Sequence, residues 1–263
     1  MSEVLEDYAL NEKMQRKGSL HKVGIIGCGS VGQEITRIIS LAGIDVVFID
    51  VSKERVLQIF LSINQQLDEI INRWGLTESE KRAILSRIKG STDYNDIRDC
   101  NLVMETISPD KPGTSLELRK NIFRTIENYV SDETIITSNV STLMISDLAA
   151  ALKYPERAVG LHFLIPPSTV KIVEVVKGLN TSQNAYEYVC RFANMIGKNV
   201  ITIYESPGNI STRLIVTLIN EACETLMEGV ASVENIDDTM KYGFGLQFGP
   251  FELADRIGLD KIL

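Results

Sequence analysis

The amino-acid sequence predicts an α/β fold: a doubly wound sheet carrying a helical hairpin insertion, followed by a smaller all-α C-terminal domain. Three observations carry this. Between residues 22 and 205, short β-branched runs alternate with segments whose apolar residues recur at helical spacing. Such alternation argues a parallel sheet covered by helices. A glycine cluster, "GCGSVG" (27–32), stands where the first strand meets the first helix. Beyond the turn "SPGN" (206–209) every pattern is helical, which marks a boundary. The expected division is an N-terminal helical extension over 1–20, an α/β domain over 21–206 and a helical domain over 207–263.

The polar segment over 1–20 has helical character, with Gly18 as a stop. Val23–Ile26 has the length and β-branched content of a strand. After the glycines, Ile35, Ile38, Ile39 and Ala42 keep helical spacing, and Gly43 is a natural helix end. "IDVVFID" is a second strand, ending on Asp50. Val56, Ile59, Phe60, Ile63, Leu67, Ile70 and Ile71 mark a long amphipathic helix. Thr77, with Glu80 three residues on, is a capping box that starts a second helix running towards Lys89. "NLVMETI" (101–107) is a third strand, and "SPDKPGTS" (108–115) a loop rich in turn residues. "LELRKNIFRTIENYV" is a helix and "ETIITSN" a strand that runs out at Asn139. "ISDLAAAL" is helical, "RAVGLHF" and "TVKIVEVVKG" are strands, a helix spans about 182–197, and "NVITIYE" is the last strand. "RLIVTLINEACETLMEGVA" and "VENIDDTMKYG" are helices of the C-terminal domain.

With 263 residues, 44% of them hydrophobic, the chain can bury a substantial core. A formal net charge of −8 argues against a nucleic-acid partner. The apolar runs are too short to span a membrane, and the charged N-terminus lacks the apolar core of an export signal. Four widely separated cysteines, Cys28, Cys100, Cys190 and Cys223, form no C-x-x-C pair. They read as free thiols of a cytoplasmic protein, with no metal site expected.

A G-x-G-x-x-G match alone is weak, but here it follows a strand and opens a helix, the setting of a Rossmann-like dinucleotide site. In Gly27-Cys28-Gly29-Ser30-Val31-Gly32, the first glycine permits the tight turn. The second lets the backbone approach a pyrophosphate, and the third permits close helix–strand packing. The helix N-terminus then offers unpaired N–H groups to the phosphates. Asp50, at the end of the second strand, suits the adenosine ribose hydroxyls and would repel a 2′-phosphate. The cofactor expected is therefore NAD; Arg55 nearby keeps NADP open. The bland alternative is a tight strand–helix turn without a ligand.

Five further stretches, "SNVSTL" (138–143), "GLHF" (160–163), "IVEVVKG" (172–178), "NEACETLMEGVAS" (220–232) and "FGPFELADRIGLD" (248–260), stand in an order and spacing that resemble the 3-hydroxyacyl-CoA dehydrogenase family over roughly 21–260. Short-chain 3-hydroxybutyryl-CoA dehydrogenases are the members nearest in size. The resemblance implies NAD-dependent oxidation of an L-3-hydroxyacyl-CoA to the 3-ketoacyl-CoA, or the reverse, and a place in fatty acid metabolism. It makes His162 the general base for the 3-hydroxyl proton, Glu174 the acid that orients its imidazole, and Ser141 a donor to the substrate oxygen. Physical chemistry supports those roles. Imidazole titrates near neutral pH and can take and return a proton, and an acid on its other nitrogen fixes the tautomer. Without the resemblance the residues give an NAD oxidoreductase with a histidine base and no named substrate. For each residue a bland alternative stands: a packed core histidine, a strand-edge acid facing water, and a helix N-cap for "ISDLAA".

The resemblance also assigns Glu105 and Arg119 to the cofactor site and Arg73, in the hairpin, to a CoA phosphate; as a surface arginine Arg73 needs no ligand. It places the acyl-CoA in the cleft towards the helical domain and makes that domain the interface of a homodimer, the commonest oligomer. Several positions depart from the family. H-F-F-N-P reads "HFLIP", with Ile165 where an asparagine is expected. G-F-I-V-N-R reads "GNISTR", which puts Thr212 at the active-site asparagine. E-A-I-x-E reads "ETISP", keeping Glu105 but meeting Pro109, with an insertion at "DKPGT". A lysine becomes Arg119, and the chain stops at Leu263 where the family continues, as if the end were missing. Two rival readings follow: a catalytically impaired paralogue that binds NAD and acyl-CoA, and a dehydrogenase of a free hydroxy acid.

Overall fold

The computed structural model describes residues 20–73, 75–108 and 115–258. The expected helix over 1–20 (apart from Leu20), Pro109 and the "DKPGT" insertion lie outside the described residues. Contacts divide the chain into two compact units, Met1–Ser108 with Thr125–Ile136, and Pro109–Arg124 with Thr137–Leu263.

The first unit holds β1 (Lys22–Ile26), α1 (Ser30–Leu41), β2 (Asp45–Ile49), α2 (Lys53–Asn72), α3 (Glu78–Ser86), β3 (Ile88–Ser91) and β4 (Leu102–Glu105). The strands lie in the order β3-β2-β1-β4, all parallel. Val23, Ile25, Val46, Val47, Phe48, Leu102 and Val103 are buried, as the near-continuous apolar runs of parallel strands require. Ile35 and Ile39 of α1, and Ile59, Ile63 and Leu67 of α2, are buried at helical spacing. Gly43, past the end of α1, has φ +85°, a conformation that favours glycine. The α2–α3 hairpin forms as expected. The Thr77 hydroxyl accepts from Glu80 N (3.2 Å), and Glu80 Oε2 accepts from Thr77 N (2.8 Å), which completes the capping box.

One expectation fails in this unit. The second hairpin helix stops at Ser86 instead of running towards Lys89, and Ile88–Ser91 pair with β2 as β3. Backbone bonds from Val46 N to Arg87 O (2.8 Å) and from Asp50 N to Ser91 O (3.1 Å) continue that pairing. The strand has no β-branched run to betray it. Gly90 is there because a Cβ would come within 2.5 Å of the Phe48 ring and Val56.

α4 (Ser115–Tyr129) and β5 (Ile135–Ser138) are shared between the two units. The second unit continues with α5 (Ile145–Ala149), β6 (Ala158–Phe163), β7 (Ile172–Lys177), α6 (Gln183–Met195) and β8 (Asn199–Tyr204). α7 (Ser211–Met227), α8 (Val233–Asp238) and α9 (Pro250–Ile257) follow. β7 and β8 are parallel, but β6 and β7 run antiparallel. The strands are therefore mixed, where the sequence pattern suggested parallel pairing throughout. The cause lies in the connection: residues 164–171 form a proline-containing turn, and a parallel neighbour needs a crossover of a dozen or more residues. Asp237, buried, receives Phe251 N on Oδ1 (2.8 Å) and Glu252 N on Oδ2 (3.0 Å), and so caps α9.

Candidate active site

The glycine loop shows three different local environments. Gly27 has φ +79°, and a Cβ there would meet Ile107 Cγ2 at 2.5 Å. A Cβ at Gly32 would lie 2.8 Å from both the Gly27 carbonyl oxygen and Thr106 Oγ1. At Gly29 nothing lies within 4 Å of the same atom. The outer two glycines are thus demanded by the protein's own packing, and the middle one faces open space that a ligand can approach. Gly29 is also the N-cap of α1 and makes no side-chain cap bond, and the first turn of α1 carries no acid. Such a helix end suits a phosphate.

The register aligns Ile26 with Ile49 of β2 and with Glu105 of β4. The residues that follow, Gly27, Asp50 and Thr106, therefore emerge together. The Thr106 hydroxyl donates to the Gly27 carbonyl. Asp50 Oδ2 accepts from Cys28 N (3.0 Å) and Oδ1 from Val51 N (2.8 Å). Arg55, half exposed, stands 4.0 Å from Asp50 Oδ1. The Cys28 thiol, buried in this loop, is pushed up to about 12 by burial, so it stays a neutral packing group.

In the second unit, His162 and Glu174 are direct partners across the antiparallel β6–β7 pair. His162 Nδ1 lies 2.8 Å from Glu174 Oε2. Glu174 is 3% exposed, which rejects the reading of a strand-edge acid facing water. Burial raises the Glu174 carboxyl, but hydrogen bonds from His162 and from the Ser211 N–H and hydroxyl outweigh it and hold the group below the usual carboxylate range. The carboxylate therefore takes the Nδ1 proton as acceptor and leaves Nε2 as the basic nitrogen. Such a pair can take a proton from a bound hydroxyl and stabilise the imidazolium that results.

Ser141 is held from two sides. Its hydroxyl accepts from Thr212 Oγ1 (3.0 Å), and its carbonyl accepts from Gly208 N (2.7 Å). The Ser141 proton stays available to an oxygen atom of a ligand. Ser141 is not the N-cap of α5; that position is Met144, without a side-chain cap. Close by in the chain, Asn139 Oδ1 accepts from Phe163 N (2.8 Å) and ties the end of β5 to the end of β6.

Two models of the 3-hydroxyacyl-CoA dehydrogenase family match almost the whole chain: the NAD binding domain over residues 22–206 and the C-terminal domain over 208–263. The chain belongs to the 3-hydroxyacyl-CoA dehydrogenases. It is an NAD-dependent oxidoreductase by family. The 3-hydroxybutyryl-CoA dehydrogenase of Bradyrhizobium diazoefficiens is 38% identical over 244 residues, covering 93% of this chain and 82% of that one. The enzyme of the same name from Clostridioides difficile is 31% identical, covering 92% and 84%. The crystal structure of (S)-3-hydroxybutyryl-CoA dehydrogenase from Ralstonia eutropha superposes with a TM-score of 0.87 at 36% identity, covering 93% and 84%. The doubly wound α/β fold with a helical C-terminal part is shared with it. Gly27–Gly32 and Asp50 fit the family's NAD in the environments just described.

Within this dehydrogenase, the other residues singled out in the sequence have definite places. Glu105 is fully buried, and its Oε1 accepts from Ile107 N (2.7 Å), which folds the loop after β4. Arg119 is buried on α4, with Nε donating to Ser115 Oγ (2.9 Å). Arg73 is the exposed C-cap of α2. Ile165, where the resemblance led to the expectation of an asparagine, is 55% exposed. Sequence reasoning missed Ser211, which binds Glu174, and Lys198. The buried Lys198 donates from Nζ to Pro167 O (2.5 Å) and Val170 O (2.6 Å) and so clamps the turn after "HFL". A lone serine beside Thr212 and a lysine after Gly197 carry no signal of their own; only the folded contacts single them out.

Proposed function

We propose that this dehydrogenase oxidises an L-3-hydroxyacyl-CoA to the 3-ketoacyl-CoA with NAD and also runs the reverse reaction. The observation that carries the reading is the His162–Glu174 pair, joined at 2.8 Å with its carboxylate buried. His162 Nε2 takes the 3-hydroxyl proton. Glu174 holds the ring in the Nδ1–H tautomer and stabilises the imidazolium. Ser141, its hydroxyl oxygen occupied by Thr212, donates to the substrate oxygen. The Gly27–Gly32 backbone, with Cys28, Ser30 and Val31, holds the pyrophosphate, and Asp50 the ribose hydroxyls; Glu105 and Arg119 support the cofactor site. Bound NAD supplies the hydride acceptor. Arg73 is the residue we assign to a CoA phosphate. The domain division is 21–206 and 207–263, supported by family matches that meet between residues 206 and 208.

The functional unit is a homodimer formed through the helical C-terminal domain. Only Ile219 and Ala222 are buried along the 17 residues of α7, while Leu214 and Met227 are exposed. The compartment is the cytoplasm, a reading that rests on the cysteine pattern. Among the described residues, no helix is long and apolar enough to cross a membrane.

The test is loss of absorbance of the reduced nicotinamide with acetoacetyl-CoA, and with acetoacetate as the free acid. The expected result is oxidation with the thioester alone. His162→Gln should lower kcat by about 10²–10⁴-fold and leave NADH binding intact. NADH binding without turnover would instead make the chain a binding paralogue, and turnover of the free acid would reassign the substrate.

A further inference from the structure

Glu174 is a buried ion with more than one donor. Oε2 receives two of them: His162 Nδ1 at 2.8 Å and the Ser211 hydroxyl at 3.0 Å. Oε1 receives the Ser211 backbone N–H at 2.9 Å. Ser211 is the first residue of α7, and Ile210 before it makes no side-chain cap bond. The carboxylate of β7 therefore stands at the N-terminus of a 17-residue helix. An ionised carboxylate only accepts, so the Ser211 hydroxyl has a fixed direction: it donates to the oxygen that His162 uses.

We propose that Ser211 is a positioning residue of the catalytic pair, whose hydroxyl shares Oε2 with His162 and so moderates the pull of Glu174 on the imidazolium. The inference rests on the proposed role of His162 as base. A second donor on one oxygen withdraws electron density from the bond to the first. It also fixes the carboxylate plane, which the backbone bond to Oε1 alone would leave freer to rock. With Ser211 present, the carboxylate stays ionised and aligned whether or not the ring carries a proton, and the imidazolium is held less tightly than by a carboxylate given to it alone. A base that must return its proton in the reverse reaction benefits from that. On the elements packed against β6, three other charged groups have partners of their own. Lys177 donates to Gln183 (3.0 Å), Glu187 accepts from the same side chain (2.9 Å), and Arg191 lies over the Tyr188 ring. Asp147 sits in the first turn of α5. Glu174 is the ionised group bonded to His162.

The test compares Ser211→Thr with Ser211→Val, which have the same shape and differ in the hydroxyl. In the oxidation direction the rate rises with pH as His162 loses its proton. Ser211→Val should move that acid limb to higher pH by about half a unit, because the unshared carboxylate holds the imidazolium more tightly. KM for NAD should stay as in the wild type, and Ser211→Thr should restore the limb. Melting temperatures of both variants close to that of the wild type exclude a folding defect. An unmoved limb in Ser211→Val, or the same fall in kcat for both variants without a shift, overturns the proposal. The chain holds two histidines, His21 and His162, so the ring resonance of His162 can be assigned with His21→Gln as control. Its titration in the same variants decides the role of Ser211 even where no turnover is seen. Failure of the functional reading is thereby separable from failure of this one.

Discussion

The backbone N–H of Cys28 donates to Asp50 Oδ2 at 3.0 Å, so the acid that ends β2 and the glycine loop that ends β1 form one hydrogen-bonded piece. The acid expected to read the ribose also braces the turn expected to hold the pyrophosphate. Asp50→Ala should lose both contributions and weaken NADH binding about tenfold to a hundredfold, as read by fluorescence titration. Asp50→Asn keeps an acceptor for Cys28 and should fall between. Both should narrow the preference for NADH over NADPH, since the charge that repels the 2′-phosphate is gone.

The buried Glu174 carboxylate titrates below its ordinary value of 4.5. A group whose folded value is depressed gives stability that is complete above the unfolded value and is lost as pH falls through the folded one. The gap in melting temperature between wild type and Glu174→Gln should therefore be fully developed above pH 4.5, where the carboxylate is ionised. It should shrink progressively as pH drops below 4.5. A gap that stays constant down to strongly acid pH would show that the carboxylate is not preferentially stabilised in the fold.

Asp237 caps α9 through two backbone N–H groups, and Gly249 packs so closely that a Cβ there would lie 2.2 Å from Asp237 Cγ. Asp237→Ala should cost about 1–2 kcal/mol in urea unfolding, with an unchanged m-value. Gly249→Ala should destabilise by displacing the same cap, so the double variant should cost less than the sum of the two.

Burial pushes the thiols of Cys28 and Cys100 up to about 12. Cys190 and Cys223 are partly exposed. Iodoacetamide at pH 8, followed by peptide mass spectrometry, should label Cys190 and Cys223 first. Cys28 and Cys100 should react only on unfolding. Early labelling of Cys28 would contradict its buried place in the glycine loop.

Much of the architecture was legible because it rests on local chemistry. Helical spacing in α1 and α2, the Thr77 capping box and the β-branched runs each declare an element within a few residues. The glycine loop declared its turn in the same way, since φ +79° at Gly27 and a close helix–strand approach restrict residue type directly. β3 was not legible. It is a four-residue strand formed by pairing with β2, and pairing is a property of two distant segments.

The sequence by itself determined the family, placed the glycine loop after the first strand, and singled out His162 and Glu174. The direction of the β6–β7 pair was decided by a connection too short for a crossover helix. That antiparallel register is what sets His162 opposite Glu174. Whether Glu174 faced water or the interior, whether Ser141 capped a helix or met Thr212, and that Ser211 reaches Glu174 were settled only by tertiary packing. The reason is that burial and hydrogen bonding belong to residues brought together from distant parts of the chain; Ser211 and Glu174 are 37 positions apart. No local pattern of residues encodes such a contact.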